Sequence, residues 1–153
     1  MEGHDPKPMS RNRTFDEYFR DWEVRPEFSK EYISLWPYWL GKDRLHLLDE
    51  VVEQEWSRFN DLILSISREF RVGIVNMESE IVDFPDDIQP FLHGYSESMR
   101  KDSSQFSKFA IPDLQCVISE EWDYTYIIWH KNDGTVDVLK PYILNSKLHH
   151  FSD

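Results

Sequence analysis

The chain has 153 residues, 15% of them aromatic, with a single cysteine and a net charge of −12. That length supports one domain with its own core, and a lone Cys116 excludes an intramolecular disulfide and the multi-cysteine zinc patterns. The charge argues against nucleic acid or an anionic membrane surface as partner, because phosphate binding needs clustered Lys and Arg. No stretch approaches the roughly 20 apolar residues that cross a bilayer.

In chain order, residues 1–13 carry two prolines, a glycine and scattered charge, the composition of a flexible tail ahead of a single domain over 14–153. They hold no apolar core of a signal peptide, so a cytoplasmic location is expected. Thr14 and Glu17 have capping-box spacing, and Phe15, Tyr18, Phe19 and Trp22 then line one side of a short helix. Pro26 suits the first turn of a second helix, with Phe28, Tyr32 and Leu35 on its apolar side and Pro37 as its stop. Leu45, Leu48, Val52, Trp56, Phe59, Ile63, Ile66 and Phe70 recur at steps of three and four, which predicts one long helix over residues 45–70.

Beyond it, residues 72–76 and 79–84 read as a strand pair. Residues 84–101, broken by Pro85, Pro90 and Gly94, read as loop with a helical turn or two. LQCVIS (114–119) is a candidate buried strand, and its thiol reads as an inert packing group. WDYTYIIWH and TVDVL flank Asn132-Asp133-Gly134, which predicts a C-terminal hairpin over residues 122–139. Helices first and strands later give an α+β fold, with an antiparallel sheet packed on the long helix.

The charge is regional. Residues 72–99 and 109–130 contain no Lys or Arg and contribute −6 and −4. If folding brings their strands together, Glu78, Glu80, Asp83, Asp86 and Asp87 converge with Glu120, Glu121 and Asp123 on one acidic face. Trp129 is then a candidate aromatic anchor, because Trp is enriched at binding hot spots. Trp36, Tyr38 and Trp39 either plug the end of the core or form a second anchor.

Catalytic and metal signatures are weak. His130 opposes Asp137 only in one hairpin register, and such a cross-strand pair is ordinarily sheet surface. His46, Glu50 and Glu53 share a helix side, but no second helix supplies matching ligands. Glycines at phosphate-binding spacing and a G-x-S-x-G elbow are both lacking. No catalytic residue, metal or cofactor is assigned.

The segment WDYTYIIWHKNDGTVDVL resembles the C-terminal hairpin of small bacterial domains of uncharacterised function associated with toxin–immunity loci, through Trp122, Tyr126, Trp129, Asp133, Gly134, Asp137 and Val138. The resemblance implies an immunity-type protein that neutralises a toxin by binding it. With the regional charge, the expectation is a non-enzymatic acidic binding protein for a basic partner such as a toxin domain. The alternatives are a small hydrolase-like enzyme using carboxylates and a histidine, or an accessory domain whose acidity serves solubility.

Overall fold

The computed structural model describes residues 14–100, 102 and 105–152, so the predicted tail lies outside the described residues. Its frame is a seven-stranded antiparallel sheet in the order β5-β4-β6-β7-β8-β3-β9. These strands are β3 (Ser29–Ser34), β4 (Gly73–Asn76), β5 (Ile81–Asp83), β6 (Lys108–Ile111), β7 (Cys116–Glu121), β8 (Thr125–His130) and β9 (His149–Phe151). A separate two-residue ribbon, β1 (Phe19–Arg20) and β2 (Glu23–Val24), precedes them. Residues 14–18 form a short helix ahead of the ribbon, and the later α-helices are α1 (Glu53–Trp56), α2 (Arg58–Ser67), α3 (Tyr95–Arg100) and α4 (Asp133–Asn145). The α+β class, the antiparallel sheet and the strand candidates at 72–76, 79–84 and 114–119 agree with the sequence reading; four elements do not. The first helix ends at residue 18, so Phe19 lies in β1 and Trp22 turns the ribbon, exposed.

The second helix is a strand. Residues 29–34 pair with β8 on one side and β9 on the other. The step-four pattern from Phe28 to Tyr32 coincides with buried positions, but Ile33, absent from that stripe, is fully buried as well. A central strand buried on both faces does not alternate, which is why it passed for a helix.

The helix predicted over 45–70 is broken. Lys42–Glu50 is a 3-10 segment with no buried residue; Val51 and Val52 are extended, and α1 and α2 follow. Two adjacent β-branched residues favour extended backbone, and the Val52 N–H donates to Glu55 Oε1 at 3.1 Å, so a new helix starts there. The break rotates the stripe: Val51 is buried while Val52 is 53% exposed. Beyond it the pattern holds, with Trp56, Phe59, Ile63 and Ile66 all buried.

The hairpin over 122–139 is absent. WDYTYIIWH supplies β8, but its partners are β7 and β3, and Asn132-Asp133-Gly134 begins α4. Asn132 Oδ1 accepts the Gly134 N–H at 2.8 Å, a helix cap. Thr135, Val136, Leu139 and Ile143 then face inward at helical spacing. Asp137 is consequently exposed on a helix, nowhere opposite His130, whose strand partners are Ser29 and Cys116.

Both sheet faces are apolar, and α2 and α4 cover one. There Phe59, Leu62, Ile63 and Ile66 of α2 and Leu139 and Ile143 of α4 meet Ile33, Phe109, Ile118, Tyr126 and Ile128. On the other face Phe15, Tyr18, Phe19 and Phe28 cover Val82, Ala110 and Val117, with Trp129 packed alongside. Antiparallel register gives the sheet two distinct ends. The β4–β5 turn (77–80), the β7–β8 turn (122–124) and the chain leaving β3 at Ser34 share the Trp122 end. The starts of β3 and β7 and the finish of β8 share the His130 end.

Candidate binding site at the Trp122 end of the sheet

The β7–β8 connection is three residues, Trp122, Asp123 and Tyr124, between the paired Glu121 and Thr125. Asp123 and Tyr124 both adopt left-handed backbone, with φ of 61° and 56°. This conformation is uncommon without glycine and tends to persist where surrounding structure over-determines it. It lifts Trp122 out of the sheet, 60% exposed, with its ring edge-on to Phe106 at 4.8 Å between centroids.

A cleft lies on each side of this turn. The first, about 320 Å³, opens on the face that Phe15, Tyr18 and Phe19 leave uncovered. Tyr32, Ser34, Thr125 and Ile127 line it from the strands, and Trp36, Tyr38 and Trp39 from the segment after β3. Tyr32, Trp39 and Phe151 form a mutual ring cluster with centroids 4.7–5.5 Å apart. Tyr38 and Trp39 are exposed, whereas Trp36 is half-buried against Tyr124. That segment is both core plug and exposed aromatic surface.

The second cleft, about 340 Å³, enters from the helix-covered face between the sheet end and α3. Trp56, Phe59, Phe106, Trp122, Tyr124 and Tyr126 supply rings, and Asp49, Glu120, Glu121 and Asp123 supply carboxylates. Ser98 of α3 also lines it, and its Oγ is buried without a hydrogen-bond partner. A buried hydroxyl ordinarily has one, and leaving it unmet costs about 1–3 kcal/mol. Tyr124 donates to Met99 Sδ at 3.5 Å. Burial, a hydrogen bond with Tyr95 and the charges of Asp49 and Asp123 push the Tyr124 hydroxyl up to about 12. Burial, then the Glu120 charge, holds the Tyr126 hydroxyl well above its ordinary value. The carboxylates, not these shifts, give the cleft its acidic character. Among its described lining residues, and those of the first cleft, there is no Lys, Arg or His.

The predicted acids divide. Glu78 and Glu80 lie exposed in the β4–β5 turn at the Trp122 end, with Glu121 half-buried and Asp123 exposed at the β7–β8 turn. With strands about 4.8 Å apart, the two turns are separated by roughly 14 Å. Asp83 closes β5 toward the other end, followed by exposed Asp86 and by Asp87, whose Oδ1 accepts the Gln89 N–H at 3.0 Å. Glu120 turns inward, and its Oε1 accepts the Ser107 N–H at 2.9 Å. Glu121 is held by a relay in which Trp129 Nε1 donates to Ser119 Oγ, which donates to Glu121 Oε2, each at 2.9 Å. Trp129 thus orients an acid of the site from within the sheet instead of presenting a free anchor. Lys108 of β6 lies in electrostatic reach of Glu120 and Glu121; burial pulls its ammonium below the ordinary value, and the two carboxylates oppose that shift.

Among the described residues, no group of three or more His, Cys, Asp or Glu is placed to hold a metal ion. Cys116 is wholly buried, and burial pushes its thiol up to about 12. No helix among the described residues is long and apolar enough to cross a membrane. The sequence reading did not single out Asp49 or Ser98 as site residues, because neither belongs to a motif and only the 3-10 segment and α3 bring them to the turn.

The class these features define is a mixed helix-and-sheet protein with an aromatic, acidic cleft pair at one end of an antiparallel sheet. Comparison with protein-family models, curated proteins and solved structures finds no match.

Proposed function

We propose that this chain is a non-enzymatic binding protein whose Trp122 end docks a basic protein partner. The observation that carries this reading is the composition of the two clefts, which join aromatic rings to carboxylates without a described cation. Rings of this kind supply desolvated anchors, and the carboxylates steer a positive partner and penalise a negative one. The immunity reading, a basic toxin domain as the partner, is the finer form. It rests on the clefts alone, because the segment that carried the resemblance folds as strand, cap and helix.

Co-expression with the positively charged product of a flanking reading frame tests the proposal. The pair should form a complex whose association slows as salt rises, since exposed charges are screened beyond roughly 8 Å at physiological ionic strength. Asp49→Lys combined with Asp123→Lys should slow association further, whereas Asp86→Lys should matter little. A complex whose on-rate ignored both salt and the double reversal would remove the proposal.

A further inference from the structure

We infer that the second cleft, beneath Trp122 and beside α3, is a receptor for one arginine side chain of the partner. This deepens the proposed function and rests on it for the source of the arginine. The site is more than a group of acids, because aromatic rings line it beside the carboxylates and the Ser98 hydroxyl is buried at its wall with no hydrogen-bond partner. At about 340 Å³ the cleft sits at the small end of the roughly 300–1,000 Å³ typical of ligand pockets, the size for a single long side chain.

Guanidinium fits the walls better than ammonium. Its plane stacks on ring faces such as Trp122, and its five fixed donors reach several acceptors at once; an ammonium is a compact, strongly hydrated point charge with three. The acceptors here are spread around the cleft: Asp49 and Asp123 are exposed at the rim, and the Ser98 hydroxyl is buried at the wall. Nothing on the described walls competes for them as a cation.

The test titrates the folded chain with N-acetyl-arginine methylamide and follows the six tryptophan indole N–H signals by NMR. Trp56 lines only the second cleft and Trp39 only the first, so the signals separate the two. Saturable shifts at Trp56 and Trp122, in the millimolar range expected for one side chain without its protein, support the inference. The neutral citrulline analogue should then give no saturable shift. Asp49→Asn and Ser98→Ala should each weaken binding about fivefold to tenfold, consistent with a lost hydrogen bond to a charged group. Both variants should fold, because Asp49 is exposed and Ser98 makes no side-chain bond to lose.

No shift at Trp56, shifts at Trp39 alone, or an equal response to citrulline overturns the inference. So does equal binding of tetramethylammonium, which would make the cleft a general cation cage. Arginine binding without any basic partner would instead sink only the proposed function, and a docked partner that leaves Trp56 unperturbed would sink only the arginine site.

Discussion

At the His130 end of the sheet, rings and acids meet cations of the same chain. The Lys131 ammonium lies 5.0 Å from the Phe28 ring centroid, Lys30 lies 5.3 Å from that of Trp129, and the Arg71 guanidinium 3.9 Å from that of Phe84. Arg25 pairs with Glu27 at 2.8 Å, which holds the Glu27 carboxyl below its ordinary value. At the Trp122 end the same residue types recur, yet none of these cation–ring contacts falls there. At the Trp122 end Lys108 lies near Glu120 and Glu121, but the described linings of the two clefts hold no cation. That contrast, more than the net charge of −12, is what the proposed binding role rests on.

If the Trp122 end is built for binding, its rings should divide sharply between those that hold the fold and those that do not. Trp56, 4% exposed, should cost about 3–5 kcal/mol on truncation to Ala, whereas Trp122→Ala should stay within about 0.5 kcal/mol as a surface change. Urea denaturation of the two variants checks the pair, and equal costs would erase the distinction. Alkaline pH probes one group at each end next, Cys116 beside His130 and Tyr124 beside Trp122. Cys116 and Tyr124 are each held up to about 12 from ordinary values of 9.0 and 10.0. The unfolded chain loses those protons first, so stability should be intact below about pH 9 and decline as pH rises toward 12. A urea midpoint unchanged between pH 8 and 11 would contradict the burial of both groups.

At the His130 end, Lys131→Ala should lower stability by about 0.5–1 kcal/mol, the range for an exposed cation–ring contact. No loss there would mean that the internal cations are idle, and the comparison between ends would lose its reference. The smallest effect is expected outside the sheet. Asp21 and Trp22 turn the β1–β2 ribbon with φ of 55° and 68°, and Trp22 is 61% exposed. Trp22→Gly should raise the thermal midpoint slightly, by a gain of about 0.5 kcal/mol, because glycine adopts this turn without a steric penalty. Arginine binding should be untouched by it.

Much of the sheet was legible because β-branched runs such as residues 72–76 and 114–119 have few other ways to be buried. The errors share one cause: local patterns that two structures satisfy equally. Asn132-Asp133-Gly134 serves as a tight turn or a helix cap, and Val136 and Val138 alternate like a strand while Val136, Leu139 and Ile143 step like a helix. Pro141 lies within α4, a helix that tertiary packing sustains despite it. The uneven charge along the chain led to Glu78, Glu80, Glu121 and Asp123 at one end. It also drew in Glu120, whose carboxylate is occupied by Ser107, and Asp83, Asp86 and Asp87, which follow β5 away. Ser98 carried no signal at all, since an unmet hydroxyl is a property of packing and not of pattern.

The position of β3 has a consequence for how the chain is made. It lies between β8 and β9, and the Glu31 carboxylate meets His150 Nε2 at 2.7 Å across a separation of 119 residues. During synthesis at about 5–20 residues per second, roughly 6–24 seconds pass between the two. Until β8 is made, late in that interval, Tyr32 and Ile33 have no sheet to join, and an unpaired apolar strand is a template for wrong partners. Two arginines and a lysine nearby, Arg20, Arg25 and Lys30, keep that early segment charged while it waits. Closure of the sheet is thus among the last events of folding, and the slow step should be the arrival of the C-terminal strand.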